Sequence, residues 1–384
     1  MHAIRDVPGK GKGLFATRKI AKGTRILSEE PLLEIPPLAD MTELYHDDEK
    51  RGIFIELINK LSAKRRKGFL ALHNAFPDGV DAKYIGRLRT NAFRLNLVKP
   101  VADTGALKYG SDSDDDLCHD EDEDDDELQI GIFRNASRIN HDCESNAHNS
   151  WNSTIKRYTI YALRDIDAGE EITINYTSYT SYTRCFYTRE ERQKRLRERY
   201  AFDCSCRLCS LPPDKSQGHD KLIVELRKKR NSILDGLMDT VFCRSEGYDD
   251  AAAWEDLDSD SEDDYAGSFD GDEGLGVEVD ESTSKTLTDP TVLLQSIEQE
   301  ILFYIYHGFL GAIPGAFDMA GTLCVAYGDL ARGHRFYDPA ERSWSIIEGG
   351  DSPNAAMNKI RSQNPLEGST VVSADWESAV EDVP

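Results

Sequence analysis

The sequence lacks any hydrophobic run long enough to cross a membrane. A transmembrane helix needs about 20 consecutive apolar residues, and no window of the chain comes near that length. The first 20 residues also contain no apolar stretch typical of a secretory signal. Cysteine is sparse, with eight in 384 residues, and without an export signal such cysteines usually serve as metal ligands or buried thiols in a reducing compartment. We therefore expect an intracellular protein, in the nucleus, the cytoplasm or both, with no membrane partner.

A surplus of basic residues, which nucleic-acid binding would favour, is also missing. The net charge is −24, but 12 acidic side chains lie in residues 112–127 and 13 in residues 255–281, and neither run contains a lysine or arginine. The acidic residues outside these runs nearly match the 46 lysines and arginines. We therefore expect no direct nucleic-acid partner. Runs of like charge are usually solvated and disordered, and an alternative is that they attract basic proteins such as histone tails.

The pattern of apolar residues predicts a β-rich N-terminal part and a helical C-terminal part. Glycine turns and short apolar runs favour strands over residues 11–35, 129–133, 154–163 and 171–176. Residues 84–98 form a further ordered segment, and its end also favours a strand. Residues 42–76 have a helical apolar stripe. We divide the chain into five parts: a domain over 1–176, with a helical insertion at about 40–90 and a disordered acidic insert at about 111–127; a cysteine-rich segment over 177–211; a helix and disordered acidic linker over 212–290; a helical region over 291–360; and a tail over 361–384.

The second half of the chain is expected to be mainly helical. Thr188 and Glu191 form the pattern of a capping box, which predicts the start of a charged helix that runs to Tyr200. Further helices are expected near 219–242, over 291–309 and over 313–348, the last with a turn at 327–330. An apolar stripe is predicted for the helix at 291–309, formed by Leu293, Leu294, Ile297, Ile301, Leu302 and Ile305.

Three cysteines, Cys204, Cys206 and Cys209, lie within six residues. Thiolates this close favour one shared metal ion, and three ligands leave a tetrahedral zinc one ligand short. The fourth ligand must then come from a distant segment. Spacing alone does not choose between Cys118, Cys143, Cys185, Cys243 and Cys324, and three unlinked thiols are the alternative to a metal site.

Three further motifs precede these cysteines: Gly11–Phe15, Arg138–Asn146 and Gly169–Tyr176. Taken singly they are typical of a tight turn, a polar corner and a packed tyrosine. Together and in this order they resemble a SET domain, the fold of protein lysine methyltransferases, with its post-SET zinc cluster. The resemblance covers about residues 4–209. The chain is most similar to the SET/MYND group and its fungal SET relatives, in which an insertion splits the core and a helical C-terminal region follows.

The resemblance implies a mostly β fold of small pseudoknotted sheets, S-adenosyl-L-methionine as cofactor and a structural zinc. The pseudoknot would place the segments of Asn140 and Tyr176 side by side. Tyr176 would be the active-site tyrosine, and Cys143 would join Cys204, Cys206 and Cys209 as the fourth zinc ligand. The positions that would bind the cofactor are Lys12, Gly13, Leu14, Asn91, Asn140, His141, Tyr176 and Phe202. Lys12, Gly13 and Leu14 would act largely through backbone groups, and Phe202 would stack near the adenine.

Some features depart from the family's pattern. Ser145 replaces a proline, and no cysteine precedes Arg94, so the MYND finger is absent. The interval between Tyr176 and Tyr200 predicts an extra loop over 177–187 at the substrate mouth. Because Met1 lies so close to the first motif, we also expect an upstream strand to be missing.

These residues predict a protein-lysine N-methyltransferase that uses S-adenosylmethionine, acts on a lysine-bearing protein, with histone tails among the candidates, and is a monomer. The alternative is a degenerate SET protein that serves as a protein-binding scaffold. A zinc hydrolase is disfavoured because four cysteine ligands close the metal to water.

Overall fold

Ten short strands build three small sheets in the N-terminal part of the chain. The computed structural model describes residues 1–38, 47–79, 81–95, 128–177, 187–237 and 289–367. The strands are β1 (His2–Val7), β2 (Gly11–Ala16), β3 (Arg25–Glu29), β4 (Leu33–Leu38), β5 (Ala92–Arg94), β6 (Leu128–Ile132), β7 (Asn140–His141), β8 (Ala147–Asn152), β9 (Arg157–Ala162) and β10 (Glu171–Ile174). The predicted β-rich start is therefore present.

The first sheet brings distant parts of the sequence together, in the order β1-β2-β10-β7. Strand β2 is antiparallel to β10, with Leu14 opposite Ile172. Strand β7 is parallel to β10, with Asn140 opposite Thr173 and His141 opposite Ile174. The segments that carry Asn140 and Tyr176 thus lie side by side, as the resemblance implied.

The other two sheets follow the orders β3-β9-β8 and β4-β6-β5. Alternation along β9 places Tyr158 and Ile160 on the face that packs toward the first sheet, in one apolar core with Leu14, Ile139 and Ile172. The Tyr158 ring lies 4.7 Å from that of Phe133. This core therefore packs against the first sheet, which carries the predicted site residues.

Three helices pack on the third sheet: α1 (Asp48–Lys60), α2 (Ala63–Leu70) and α3 (Ile85–Asn91). The continuous helical stripe expected over 42–76 is interrupted at Leu61, and Ser62 accepts a hydrogen bond that begins α2. The buried face consists of Phe54, Ile58 and Phe69. This bundle holds the end of α3 beside β5.

The remaining helices are α4 (Arg189–Tyr200), α5 (Pro213–Leu237), α6 (Pro290–His307), α7 (Ile313–Ala326), α8 (Leu330–Ile347) and α9 (Pro353–Gln363). The capping box of Thr188 and Glu191 is confirmed. The turn predicted at 327–330 separates α7 from α8. Helix α5 begins before the expected residue 219, because Pro213 suits a first helical turn.

The stripe predicted for α6 is wrong at two positions. Leu302 is 66% exposed and Ile305 55% exposed. At 100° per residue these two positions lie beyond the face defined by Leu293, Ile297 and Ile301. Glu300 and Tyr304 occupy the buried positions instead, and Glu300 is paired there with Arg230 of α5 at 2.8 Å.

The C-terminal helices pack against the outer face of the second sheet through the turn between α8 and α9. Arg25 of β3 donates to Tyr161 Oη and forms an ion pair with Asp351 in that turn. Asn152 Nδ2 donates to the Asp351 carbonyl at 3.0 Å. Gly349 lies so close to Tyr161 that a methyl group there would overlap the ring hydroxyl.

Strands β1, β7 and β8 and the separate helix α9 were not predicted. Strand β1 lies before the first motif and pairs with β2 over its whole length, and the expectation of a further upstream strand stays a prediction. The acidic runs at 112–127 and 255–281, nearly all of the loop at 177–187, the end of the helix expected to reach 242 and the tail beyond 367 lie outside the described residues.

Candidate active site and metal centre

Asn140 and Glu171 meet at the junction of β7, β10 and β2. Asn140 Nδ2 donates to Glu171 Oε1 at 2.7 Å. Gly13 of β2 leaves room for this pair, because a Cβ at that position would lie 2.4 Å from the same Glu171 oxygen and 3.1 Å from Asn140 Nδ2. Because the side-chain amide nitrogen of Asn140 donates to Glu171, the side-chain oxygen Oδ1 is oriented away from Glu171. This oxygen can accept a hydrogen bond from a bound cationic group.

His141 is 5% exposed, and both of its ring nitrogens face protein groups. Nδ1 accepts from the backbone N–H of Tyr176 at 3.0 Å. Because Nδ1 is an acceptor, the proton of the neutral ring is on Nε2, which lies 3.2 Å from Cys143 Sγ. Burial lowers the pKa of His141 to about 4, so the ring is neutral near pH 7.

Tyr176 lies two residues after the end of β10 and is held by its backbone and by its hydroxyl. Its hydroxyl donates to the Ile139 carbonyl at 2.5 Å, and its ring lies 4.7 Å from that of Tyr200 and 6.4 Å from that of Phe202. Burial raises the pKa of the Tyr176 and Tyr200 phenols, so both are neutral. The result is a partly buried aromatic cluster of Tyr176, Tyr200 and Phe202 beside the Asn140 segment.

Helix α4 connects the aromatic cluster with the cysteine segment. The helix ends at Ala201, whose left-handed backbone (φ 58°) redirects the chain toward Phe202 and Cys204. Gln193 Nε2 donates to the Cys204 carbonyl at 2.8 Å, and Leu196 is fully buried against the cysteines. The end of the charged helix is therefore held in place by the cysteine segment.

The four sulfurs of Cys143, Cys204, Cys206 and Cys209 lie within 4.8 Å of one another. None of these cysteines forms a disulfide. A tetrahedral zinc with bonds of about 2.3 Å has sulfurs about 3.8 Å apart, and the distance between Cys143 Sγ and Cys209 Sγ is 3.6 Å. The donor set and the spacing fit a tetrathiolate zinc centre. Of the two alternatives among the described residues, Cys143 meets the cluster and Cys324 is buried among the C-terminal helices, whereas Cys118, Cys185 and Cys243 lie outside the described residues.

The structure brings most of the predicted site residues together, but not all by their side chains. Lys12 is exposed and pairs with Asp6 at 2.9 Å, and the Leu14 side chain lies in the core. Asn91 is buried, and its amide donates to the carbonyls of His73 and Arg87. Contacts of Lys12 and Leu14 with a cofactor would therefore run through their backbones.

Glu171 and Arg192 contact the site, and neither was among the predicted site residues. Glu171 belongs to the Gly169–Tyr176 motif, so its position beside Asn140 has a sequence signal. Arg192 has none, because it is one of many basic residues on a charged helix.

Residues 11–177 match the family model for the SET domain. This part of the chain is a SET domain that contains the small sheets, and the helical C-terminal region follows it. Its relatives include the histone-lysine N-methyltransferase set5 of Schizosaccharomyces pombe, 29% identical over 238 residues, which cover 62% of this chain and 58% of that protein. The chain is homologous to Set5 and SMYD lysine methyltransferases, which confirms the family resemblance.

Two SMYD proteins show the shorter matches. The histone-lysine N-methyltransferase SMYD3 of Mus musculus is 36% identical over 110 residues, 28% of this chain and 24% of that protein. The N-lysine methyltransferase SMYD2 of Rattus norvegicus is 33% identical over 111 residues, 29% of this chain and 23% of that protein. The chain thus matches less than two thirds of the length of each of these relatives.

Among the described residues, no helix combines the length and the apolar character that crossing a bilayer requires.

Proposed function

We propose that the protein is an S-adenosylmethionine-dependent protein-lysine N-methyltransferase. The observation that carries the proposal is the parallel pairing of β7 with β10, which places Asn140 and His141 beside Tyr176 within the aromatic cluster. The printed functions of the Set5 and SMYD relatives agree with it.

The aromatic cluster suits the chemistry of a lysine nucleophile. A free lysine amine has a pKa of about 10.4, so only about one in a thousand is neutral near pH 7. Tyr176, Tyr200 and Phe202 form a partly buried aromatic surface, and a lysine side chain enclosed against it would lose water, which disfavours the ammonium ion and so favours the neutral amine. Alignment of the two reactants can supply about 7–11 kcal/mol of the barrier reduction.

The remaining site residues would hold the cofactor and position its methyl group. S-adenosylmethionine, when bound, would supply an electrophilic methyl group on a positively charged sulfonium. The Asn140 carbonyl oxygen would accept from the amino-acid portion, and the Tyr176 oxygen and nearby carbonyls can accept weak contacts from the methyl C–H groups. Lys12, Gly13, Leu14 and the ring of Phe202 would border the cofactor. Asn91 would act from the end of α3, and His141 through its backbone or ring face, since its nitrogens are engaged.

The four cysteines would hold a structural zinc. Such a closed site contributes on the order of 10–16 kcal/mol of apparent binding free energy to folding. It would fix the end of α4, and with it Tyr200 and Phe202, against β7. A catalytic metal needs an open position, and four cysteine ligands leave none.

Other features of the whole protein are part of the same proposal. We infer a monomer, located in the nucleus, the cytoplasm or both, that acts on a lysine-bearing protein, with histone tails as candidates. The division at residues 176, 211, 290 and 360 is retained as the proposed domain organisation.

Transfer of labelled methyl groups to proteins of a cell extract tests the activity. We expect transfer by the full chain and its loss in Tyr176→Phe and in Asn140→Ala. Tyr306→Phe is the matched control, because that ring is 85% exposed on α6. Unchanged transfer by Tyr176→Phe would contradict the assignment, and calorimetry without cofactor binding would favour the scaffold alternative.

Metal analysis tests the zinc site separately. We expect one zinc per chain, reduced as strongly in Cys143→Ser as in Cys206→Ser. Cys324→Ser is the control, because Cys324 is buried among the C-terminal helices. Full zinc content in Cys143→Ser would show that another group is the fourth ligand.

A further inference from the structure

Each sulfur of the cysteine cluster has one nitrogen that can donate to it. Three of these donors are neutral and one is a guanidinium. The pairs are His141 Nε2 with Cys143 at 3.2 Å, the Cys206 amide with Cys204 at 3.5 Å, the Cys209 amide with Cys206 at 3.4 Å, and Arg192 Nη2 with Cys209 at 4.0 Å. The cluster is therefore surrounded by donors suited to thiolates rather than to thiols.

Arg192 is the unusual member of this set, because it is 5% exposed. Its Nη1 donates to the Tyr187 carbonyl at 2.5 Å, which fixes the guanidinium but does not neutralise it. None of the ion pairs between described residues includes Arg192. Burying a charged group without an opposite charge costs several kcal/mol, so the location of Arg192 requires a negative partner.

The cysteine cluster is the negative group that it contacts, through Cys209, and the charges of Cys143 and Cys209 act on it more strongly than that of the nearby Asp220. Four thiolates around one divalent ion carry a net charge of −2, which is itself costly in a buried site. The exposed Arg207, 74% accessible and paired with Glu144, is screened by solvent. Arg192 lies on the buried side, where a charge interaction is strongest.

We propose that Arg192 is the cation that balances the charge of the tetrathiolate centre and determines how long the centre retains its metal. This inference rests on the zinc site proposed above. It makes Arg192 a positioning residue of the metal centre. Its place in the sequence, four positions after the helix cap Thr188, is set by the capping box that starts α4.

The test measures zinc release from the full chain to a chromogenic chelator. Arg192→Gln keeps hydrogen-bond donors but loses the charge, and Arg192→Lys keeps the charge. Outer-shell partners commonly change metal affinity by about 10–100-fold, so we expect release from Arg192→Gln to be faster by about that factor and release from Arg192→Lys to stay near that of the wild type. Lys194→Met, at an exposed position of the same helix, is the control and should release zinc at the wild-type rate.

The possible outcomes separate the two proposals. Equal release from the Gln variant and the wild type, or equally fast release from the Gln and Lys variants, would overturn the role of the charge. If Arg192→Gln does not fold, a folded and zinc-retaining Arg192→Lys supports the inference, and an unfolded one contradicts it. Wild-type protein without zinc would instead overturn the metal site itself.

Discussion

The backbone N–H of Tyr176 donates to Nδ1 of His141 at 3.0 Å, and the opposite nitrogen of the same ring lies 3.2 Å from Cys143 Sγ. One neutral imidazole thus joins the end of β10 to the cysteine cluster. The two contacts require opposite roles of the two nitrogens, acceptor and donor, which only the neutral tautomer with its proton on Nε2 provides. The position of Tyr176 is therefore coupled to the cysteine cluster through His141.

Replacing His141 by alanine should destabilise the protein and disturb Tyr176 together. The change leaves the Tyr176 N–H without its acceptor in a buried place and opens a cavity, and such losses typically cost about 2–4 kcal/mol. Urea unfolding should show a lower free energy of unfolding, and metal analysis should show less zinc. His334→Ala, at an exposed position of α8, should change neither quantity. Loss of stability with full zinc content would separate the ring from the metal centre.

The sequence was most informative where a local motif determines the contact. The Gly169–Tyr176 and Arg138–Asn146 motifs predicted the residues that meet at β7 and β10, and the Thr188 capping box predicted the first turn of α4 to the residue. The two-residue strand β7 has no periodicity that could reveal it. Its pairing with β10 depends on contacts between segments more than thirty residues apart, which residue patterns do not contain.

The buried charges were the least predictable part of the structure. Arg192 and Arg230 lie on helices with many charged residues, Glu300 lies on a mainly apolar helix, and nothing in their local sequence shows that they are buried. Leu302 and Ile305 show the converse error, since apolar residues near a helical stripe were assigned to the core although Tyr304 and Glu300 fill it. Packing partners decide such positions, and they come from other helices.

Replacing Gly13 by alanine should weaken cofactor binding more than it weakens the fold. The added methyl would lie 2.4 Å from Glu171 Oε1 and 2.8 Å from Val7 Cγ2, so Glu171 must move and its hydrogen bond to Asn140 must break. We expect cofactor affinity by calorimetry to fall tenfold or more, about 1.4 kcal/mol, for a loss of stability of about 1–3 kcal/mol. Gly52→Ala is the control, with open space around it on α1. Wild-type affinity in Gly13→Ala would show that the Asn140–Glu171 pair does not orient the cofactor.

Gly349 tests how the C-terminal helices are joined to the second sheet. An alanine at this position would have to adopt a left-handed backbone conformation (φ 96°), and its methyl group would lie 1.9 Å from Tyr161 Oη. Gly308→Ala is a matched control, because Gly308 has φ 74° but no atom within 4 Å of an added Cβ. The backbone strain alone costs about 1–2 kcal/mol. We expect Gly308→Ala to lose about that much in urea unfolding and Gly349→Ala to lose at least about 2 kcal/mol more, with faster proteolysis of the C-terminal helices. Equal losses would mean that the turn can move away from Tyr161 at little cost.

Because of the capping box of α4, the free energy of unfolding should depend on pH in the acidic range. Burial alone would raise the pKa of Glu191, but the hydrogen bond from Arg227 and those from Thr188 outweigh it and hold the pKa below its usual value. Because the folded-state pKa is the lower one, the ionised carboxylate stabilises the fold at pH values above the unfolded pKa of about 4.5, and this contribution is lost as the pH falls through the folded pKa.

Glu191→Gln, compared with the wild type by urea unfolding between about pH 3.5 and pH 7, measures this contribution. We expect the variant to be less stable at neutral pH and the difference to shrink as the pH falls below about 4.5, where the carboxylate is protonated first in the unfolded chain and, at lower pH, in the folded protein. Glu190→Gln, an exposed neighbour in the same helical turn, is the control for a general loss of negative charge near the helix N-terminus. A stability difference that stays constant over the whole range would show that the Gln variant fails for steric reasons and that the charge of Glu191 does not hold α4 in place.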